Sequence, residues 1–141
     1  MISFTPVGTS RDVGDSAYLI QADGTAVLFD AGVHPRHEGV DSLPNYDSIK
    51  DVEVEAILIS HCHLDHLGSL PVALRYFPHA RVMMTNASAT LAPVLLEHTV
   101  RVMERIRDED GIAEYPLYTK TDVEAMSYVF QGFQTDRSFP I

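Results

Sequence analysis

An apolar run that ends in three closely spaced histidines constrains the fold of this chain more than any other feature. Residues 56–59 read Ala-Ile-Leu-Ile, and residues 61–66 follow as His-Cys-His-Leu-Asp-His. A short apolar run bounded by polar residues is typical of a buried strand in an α/β protein. The sequence therefore predicts a strand over residues 54–60, with a group of polar side chains at its carboxyl end.

The spacing within this group predicts that its four polar side chains converge. In an extended segment side chains alternate, so His61 and His63 point to one side and Cys62 points into the core. If the chain turns into a helix near residue 65, Asp65 and His66 come round to the same rim. Imidazoles with a carboxylate suit zinc, iron(II) or manganese. Four donors suit two neighbouring metals better than one, because the adjacent Asp65 and His66 cannot easily reach the ion held by both earlier histidines.

The segments before the histidines predict strands and a loop. Residues 17–30 predict a β-hairpin with its turn at Asp23-Gly24, a dipeptide that tolerates the positive φ of a tight turn. An earlier strand is expected over residues 2–8, and a long loop with at most one helical turn over residues 31–51.

The segments after the histidines predict helices with one strand among them. Ser69 is expected to cap a helix that carries Pro71 in its first turn, and a short strand follows over residues 80–85. Residues 121–131 predict a helix opened by a capping box of Thr121 and Glu124. A longer helix over residues 87–107 is expected to carry one stripe of Leu91, Leu95, His98, Val102 and Ile106. The fold class is thus α/β, a mixed sheet with flanking helices.

Composition narrows the function classes. The 141 residues are enough for one domain. The chain has no stretch of about 18 apolar residues, the length needed to span a bilayer. One cysteine and the lack of a signal-peptide pattern favour a cytoplasmic location. A formal charge of −10 argues against a general polyanion-binding surface, although nucleic acid stays open as a substrate.

The motifs of the chain resemble a known family. Residues 61–66 match the HxHxDH signature of the metallo-β-lactamase superfamily, and "DVGDSAYLI" (12–20), "LFDAGVHP" (28–35) and "SHCHLDHLGSLP" (60–71) look like its β-CASP nucleases. That group includes the cleavage and polyadenylation endonuclease, ribonuclease J and Artemis. Residues 85–126 are similar to the later helices of the same nucleases, so the resemblance covers nearly the whole chain.

The resemblance implies a role for each matching residue. His61 and His63 would bind the first of two divalent metal ions, and Asp65 and His66 the second, with zinc expected and manganese or iron as alternatives. Asp30 would support the ligands through hydrogen bonds. The implied reaction is cleavage of a phosphodiester in RNA or single-stranded DNA by metal-bound hydroxide, with Asp65 as the catalytic residue that orients the water.

Three further ligands of the family have no match downstream of residue 66. The resemblance therefore implies that residues 1–141 are a single partial domain, the N-terminal part of a four-layer αββα sandwich whose second half is missing. Such a chain is expected to bind metal weakly, to have little or no hydrolase activity alone, and to self-associate through uncovered apolar surface.

Other interpretations stay open at this point. The chain could come from a small-molecule hydrolase of the same fold, acting on a thioester, lactone or lactam, or from a non-catalytic binding module. His34 could lie at the rim of the site facing the substrate or be an ordinary loop residue. Cys62 is expected to be a small buried apolar residue, and His79 a solvated loop residue.

Overall fold

A computed structural model describes residues 1–9 and 11–141 of the chain. Its centre is a six-stranded mixed sheet in which the strands follow one another in chain order. The strands are β1 (Ile2–Pro6), β2 (Tyr18–Ala22), β3 (Thr25–Phe29), β4 (Ala56–Leu58), β5 (Arg81–Thr85) and β6 (Phe130–Phe133). Strands β1, β2 and β3 pair antiparallel, and β3 to β6 pair parallel.

The predicted hairpin is confirmed. Strands β2 and β3 pair from Tyr18 opposite Phe29 to Ala22 opposite Thr25. Asp23 and Gly24 form the turn with φ values of 49° and 91°, as a tight two-residue connection requires.

Four helices connect the parallel strands. They are α1 (Leu64–Leu67), α2 (Leu70–Tyr76), α3 (Asn86–Asp110) and α4 (Lys120–Ser127). The predicted long loop holds two short 3-10 helices, Gly39–Ser42 and Tyr46–Ile49. No helix in residues 1–9 or 11–141 is long and apolar enough to cross a membrane.

The helices cover one face of the sheet. Leu28, Ile57 and Val82 of three neighbouring strands are fully buried there, against Leu96 of α3 and Val123 of α4. A smaller apolar group lies on the opposite face, where Val27, Ala56 and Met83 are buried. The predicted fold class, a mixed sheet with flanking helices, is confirmed.

The predicted orientation of α3 is wrong by one position. Its buried residues include Ala92, Leu96, Val100 and Met103, whereas Leu91 is 52% exposed and His98 is also exposed. Two adjacent apolar stripes run along this helix. Packing against the sheet, which local periodicity cannot reveal, selects the second of them.

Neither predicted cap forms as expected. Ser69 occupies the N-cap position of α2, but its side chain makes no capping hydrogen bond, because its buried hydroxyl donates to the carbonyl of Gly32 at 2.7 Å. The capping box of helix α4 lies two residues before the predicted one and is formed by Thr119 and Asp122. Tyr118 explains the shift: it is 1% exposed and its hydroxyl donates to the Gly68 carbonyl, which fixes the chain just before the helix.

The predicted end of the last helix gives way to a strand. Helix α4 stops at Ser127, and β6 pairs parallel with β5 through Val82 opposite Phe130 to Thr85 opposite Phe133. The predicted strand over residues 54–60 is likewise shorter, since only Ala56–Leu58 pair on both sides.

Candidate metal centre

The four polar residues of the histidine cluster lie together beyond the carboxyl end of β4. The imidazole centroid of His61 is 4.8 Å from that of His63 and 4.2 Å from that of His66. Helix α1 carries Asp65 and His66, whose Oδ2 and Nε2 atoms are 3.3 Å apart. Both side chains are about one-quarter exposed, so this edge of the sheet is open to small molecules.

Asp30 lies beneath this cluster at the end of β3. It is 3% exposed and has a φ of 63°, a left-handed conformation that is uncommon outside glycine and often occurs at functional positions. Its carboxylate accepts hydrogen bonds from the backbone N–H of Ser60 at 2.7 Å and from the Ser60 hydroxyl at 2.9 Å. It also lies 2.8 Å from Nδ1 of His66.

These bonds fix the tautomer of His66. An ionised carboxylate only accepts hydrogen bonds, so Nδ1 of His66 carries the proton that faces Asp30. Nε2 then presents its lone pair, and this is the nitrogen next to Asp65. Two donors bound to one tetrahedral zinc ion at its usual bond lengths lie about 3.3 Å apart. The Asp65 and His66 pair therefore fits a shared ion.

Ser60 transmits the effect of Asp30 to His61. The single hydroxyl proton of Ser60 goes to Asp30, so the Ser60 oxygen acts as acceptor toward Nδ1 of His61, 3.0 Å away. Nε2 of His61 is then left with a free lone pair. The sequence pattern gave no reason to single out Ser60, because its role depends on the long-range approach of Asp30.

Asp65 and His66 bring one pair of donor atoms close together. Within residues 1–9 and 11–141, no three His, Cys, Asp or Glu side chains are arranged to hold one ion. The imidazole and carboxylate groups of the cluster are donor types that suit a divalent metal ion, and each ion would need further ligands.

Other candidate residues lie outside the cluster. Cys62 is half-buried and packs against the core, with its Sγ 3.8 Å from the Ser88 carbonyl oxygen. His79 is exposed in a loop. His34 is 3% exposed, and its ring stacks on that of His37.

A buried tyrosine supports the same edge from below. The hydroxyl groups of Tyr46 and Ser69 are 2.7 Å apart, and Ser69 in turn holds the Gly32 carbonyl. Burial raises the pKa of Tyr46 well above its usual value. Tyr46 therefore stays protonated at neutral pH and keeps its hydrogen bond to Ser69.

The sequence model of the family described as "Metallo-beta-lactamase superfamily" matches residues 11–123, a range that contains both Asp30 and the histidine cluster. The chain belongs to the metallo-β-lactamase superfamily. Among curated members, it is 41% identical over 122 residues to Endoribonuclease YSH1 of Eremothecium gossypii, covering 85% of this chain. It is 37% identical over 128 residues to Cleavage and polyadenylation specificity factor subunit 3 of Dictyostelium discoideum, covering 88%.

The chain matches only part of the length of these metallo-β-lactamase superfamily members. The chain spans 16% of the length of each of the two curated relatives. Among solved structures, Rm3 metallo-beta-lactamase is 28% identical with a TM-score of 0.46, covering 62% of this chain and 31% of that one.

Proposed function

We propose that this chain provides the metal-binding edge of a β-CASP-type endoribonuclease. One observation carries the proposal: buried Asp30 orients the imidazole of His66 directly and that of His61 through Ser60. Carboxylates that fix the orientation of metal-binding histidines in this way are typical of functional metal centres. Similarity to proteins named as endoribonucleases favours a phosphodiester in RNA as the bond that is cleaved, with single-stranded DNA as the related substrate.

Each residue of the cluster has a role in this proposal. His61 and His63 would hold the first divalent ion, and Asp65 and His66 would hold the second, with zinc favoured by the donor set and manganese or iron as alternatives. Such ions, when bound, supply a Lewis acid that activates water and stabilises charge on a phosphoryl group. Asp65 would accept a hydrogen bond from the attacking water and so orient it, while Asp30 keeps the imidazoles of His61 and His66 in the tautomer that can bind metal.

Residues 1–141 form, in this proposal, one part of a larger metallo-β-lactamase domain. Two protein donors for each ion give weak binding, and the chain alone has little or no hydrolase activity. The apolar sheet face opposite the helices, which includes Phe4 (61% exposed) and Phe29 (36% exposed), favours self-association. A cytoplasmic location remains a prediction from the sequence.

A small-molecule hydrolase of the same superfamily is the second candidate. The formal charge of −10 favours it, because a phosphodiester backbone is repelled by such a surface. A non-catalytic binding module is less favoured, since all four residues of the signature are present and hydrogen bonds hold the imidazoles of His61 and His66.

The test is zinc binding by the purified chain, measured by competition with a chromophoric chelator. We expect weak but saturable binding that is lost in His63→Ala and kept in His79→Ala, which removes an exposed histidine outside the cluster. Equal affinities of the wild-type chain and His63→Ala would contradict the metal-binding role of the cluster.

The substrate class needs a separate measurement. With zinc present, backbone amide shifts of residues 60–66 should move on addition of a single-stranded RNA oligonucleotide and stay unchanged with a β-lactam or a thioester. The opposite pattern would favour the small-molecule hydrolase.

A further inference from the structure

His34 is a buried histidine that the proposed metal centre does not use. It lies in the loop after β3, its backbone N–H donates to the Ser42 carbonyl at 2.8 Å, and its Nδ1 accepts the backbone N–H of Arg36 at 3.2 Å. Because Nδ1 is an acceptor, the neutral ring carries its proton on Nε2. Nε2 has no hydrogen-bond partner among the described residues, and the nearest carboxylate oxygen, Oδ2 of Asp12, is 3.5 Å away.

The loop of residues 11–17 is packed directly on this imidazole. A Cβ atom placed on Gly14 would lie 2.3 Å from Cδ2 of His34, so only glycine allows the backbone to approach the ring this closely. Asp12 of the same loop forms an ion pair with Arg36. The hydrogen bond from the Val13 backbone N–H, with a smaller contribution from Arg36, holds the pKa of Asp12 below its usual value. Asp12 is therefore ionised at neutral pH, and its ion pair with Arg36 connects the loop of Gly14 to the loop of His34.

The same loop contacts the metal centre two residues further on. The backbone N–H of Ser16 is shared between the carbonyl of Gly14 at 2.5 Å and the carbonyl of Asp65 at 3.0 Å. The Ser16 carbonyl accepts the N–H of Gly32 at 2.9 Å. Gly32 is closely apposed to Asp65 as well, since a Cβ on it would lie 1.7 Å from the Asp65 carbonyl oxygen. The backbone of Asp65 is thus held between the loop that packs on His34 and the loop that contains His34.

We propose that His34 is a positioning residue for Asp65, acting through the contact of its ring with Gly14 and the hydrogen bond of Ser16 to the Asp65 carbonyl. The proposal rests on the proposed function only in taking Asp65 as a metal ligand. Burial of His34 leaves it no surface with which to face a substrate. Its ring instead contacts Gly14 and so fixes the position of the loop whose Ser16 N–H binds the Asp65 carbonyl.

The first test is amide hydrogen exchange of the metal-free chain. In His34→Ala, protection of the Ser16 amide should fall about tenfold, while amides of Leu28 and Ile57 in the sheet keep theirs. His34→Gln should restore part of the protection, because an amide side chain can accept from Arg36 and donate toward Asp12. His98→Ala, which removes an exposed histidine of α3, should change nothing. Unchanged protection of Ser16 in His34→Ala would overturn the proposal.

A double-mutant cycle tests the contact itself. Gly14→Ala should lower Ser16 protection when His34 is present, because the new Cβ meets the ring, and should have little further effect in His34→Ala. Additive effects of the two substitutions would show that the loop does not rest on the imidazole.

Zinc affinity separates this proposal from the proposed function. We expect His34→Ala to weaken zinc binding about tenfold, as is typical when a residue that supports a metal ligand is removed. If the wild-type chain bound no zinc while Ser16 protection still depended on His34, the proposed function would fail and the positioning role would stand. If zinc bound through the cluster with the same affinity in His34→Ala, the positioning role would fail alone.

Discussion

The two faces of the sheet differ in what covers them, and adjacent residues of β3 show the contrast. Leu28 points toward the helices and is fully buried, whereas Phe29 points to the opposite face and is 36% exposed. On that opposite face Phe133 and Phe139 stack at 4.0 Å and cover part of β4 and β5. Phe4 of β1 stays 61% exposed. The helices of this chain are thus enough to bury one face, and the other face keeps exposed apolar side chains.

This asymmetry assigns different tasks to the two faces. Apolar burial on the helix-covered face supplies the stability of the fold. Apolar side chains that stay exposed on the other face contribute less to stability, and we predict that they favour self-association. The candidate metal centre lies at the carboxyl edge of the sheet, where loops that start from the covered core hold its backbone.

The largest difference is expected between Leu28→Ala and Phe29→Ala. Leu28→Ala leaves a cavity under the helices and should lower the free energy of unfolding by about 2–5 kcal/mol. Phe29→Ala removes a larger side chain from a partly exposed position and should cost about 1 kcal/mol or less. Urea unfolding followed by circular dichroism measures both. Equal losses would mean that the second face contributes to stability as much as the first.

The hydroxyl of Tyr118 makes one buried hydrogen bond on the helix-covered face, and its removal tests how much that bond stabilises the fold. It donates to the Gly68 carbonyl at 2.9 Å, and burial raises its pKa above the usual value. Tyr118→Phe keeps the ring but leaves the carbonyl without this donor, so we expect a loss of about 1–3 kcal/mol in urea unfolding. Tyr128→Phe is the matched control, because Tyr128 is 89% exposed and should show no change.

Association through the exposed face is expected to depend on its aromatic residues. Phe4 stacks on Tyr18 with centroids 5.2 Å apart, and Ile2 beside it is 76% exposed. Phe4→Ser should weaken self-association about tenfold, which is about 1.4 kcal/mol. Sedimentation equilibrium measures it, and Leu91→Ser, an exposed leucine on α3, serves as the control. An equal effect of the two substitutions would show that association does not use this face.

Local signals in the sequence were enough for the hairpin and for the histidine cluster. The Asp23-Gly24 turn depends on the backbone freedom of two residues, and the six-residue signature carries its own spacing. The resemblance to the metallo-β-lactamase superfamily, read from the same motifs, is confirmed by the match over residues 11–123. The roles of the cluster residues in metal binding remain predictions.

Long-range packing decided what the sequence could not predict. The choice between Leu95 and Leu96 as the inward residue of α3 depends on where the sheet lies. Residues 130–133 form strand β6 by pairing with the edge of β5, and no local pattern in these residues predicts that pairing. The hydrogen bonds of Ser60 and the burial of His34 likewise depend on residues about 20 to 30 positions away.

The smallest expected effect concerns the cap of α4, a helix that covers the buried face. The carboxylate of Asp122 accepts from the Thr119 backbone N–H at 2.7 Å and pairs with Arg75 at 3.1 Å. Asp122→Ala should cost about 0.5–1 kcal/mol. Glu124→Ala, at the position that the sequence pattern favoured for the cap, should change stability by about 0.5 kcal/mol or less.

The effect of Asp122→Ala should also depend on pH. The Thr119 backbone N–H, followed by the Thr119 hydroxyl and Arg75, lowers the pKa of Asp122 below its ordinary value of 3.8. A carboxyl group whose pKa is lower in the folded state stabilises the fold above the unfolded pKa and loses this contribution as the pH falls through the folded pKa. The difference in unfolding free energy between the wild-type chain and Asp122→Ala should therefore be constant above about pH 5 and shrink below about pH 4. If this difference in unfolding free energy stayed constant below about pH 4, the charge of Asp122 would add nothing to the cap. The attachment of α4 to the sheet would then depend on packing alone.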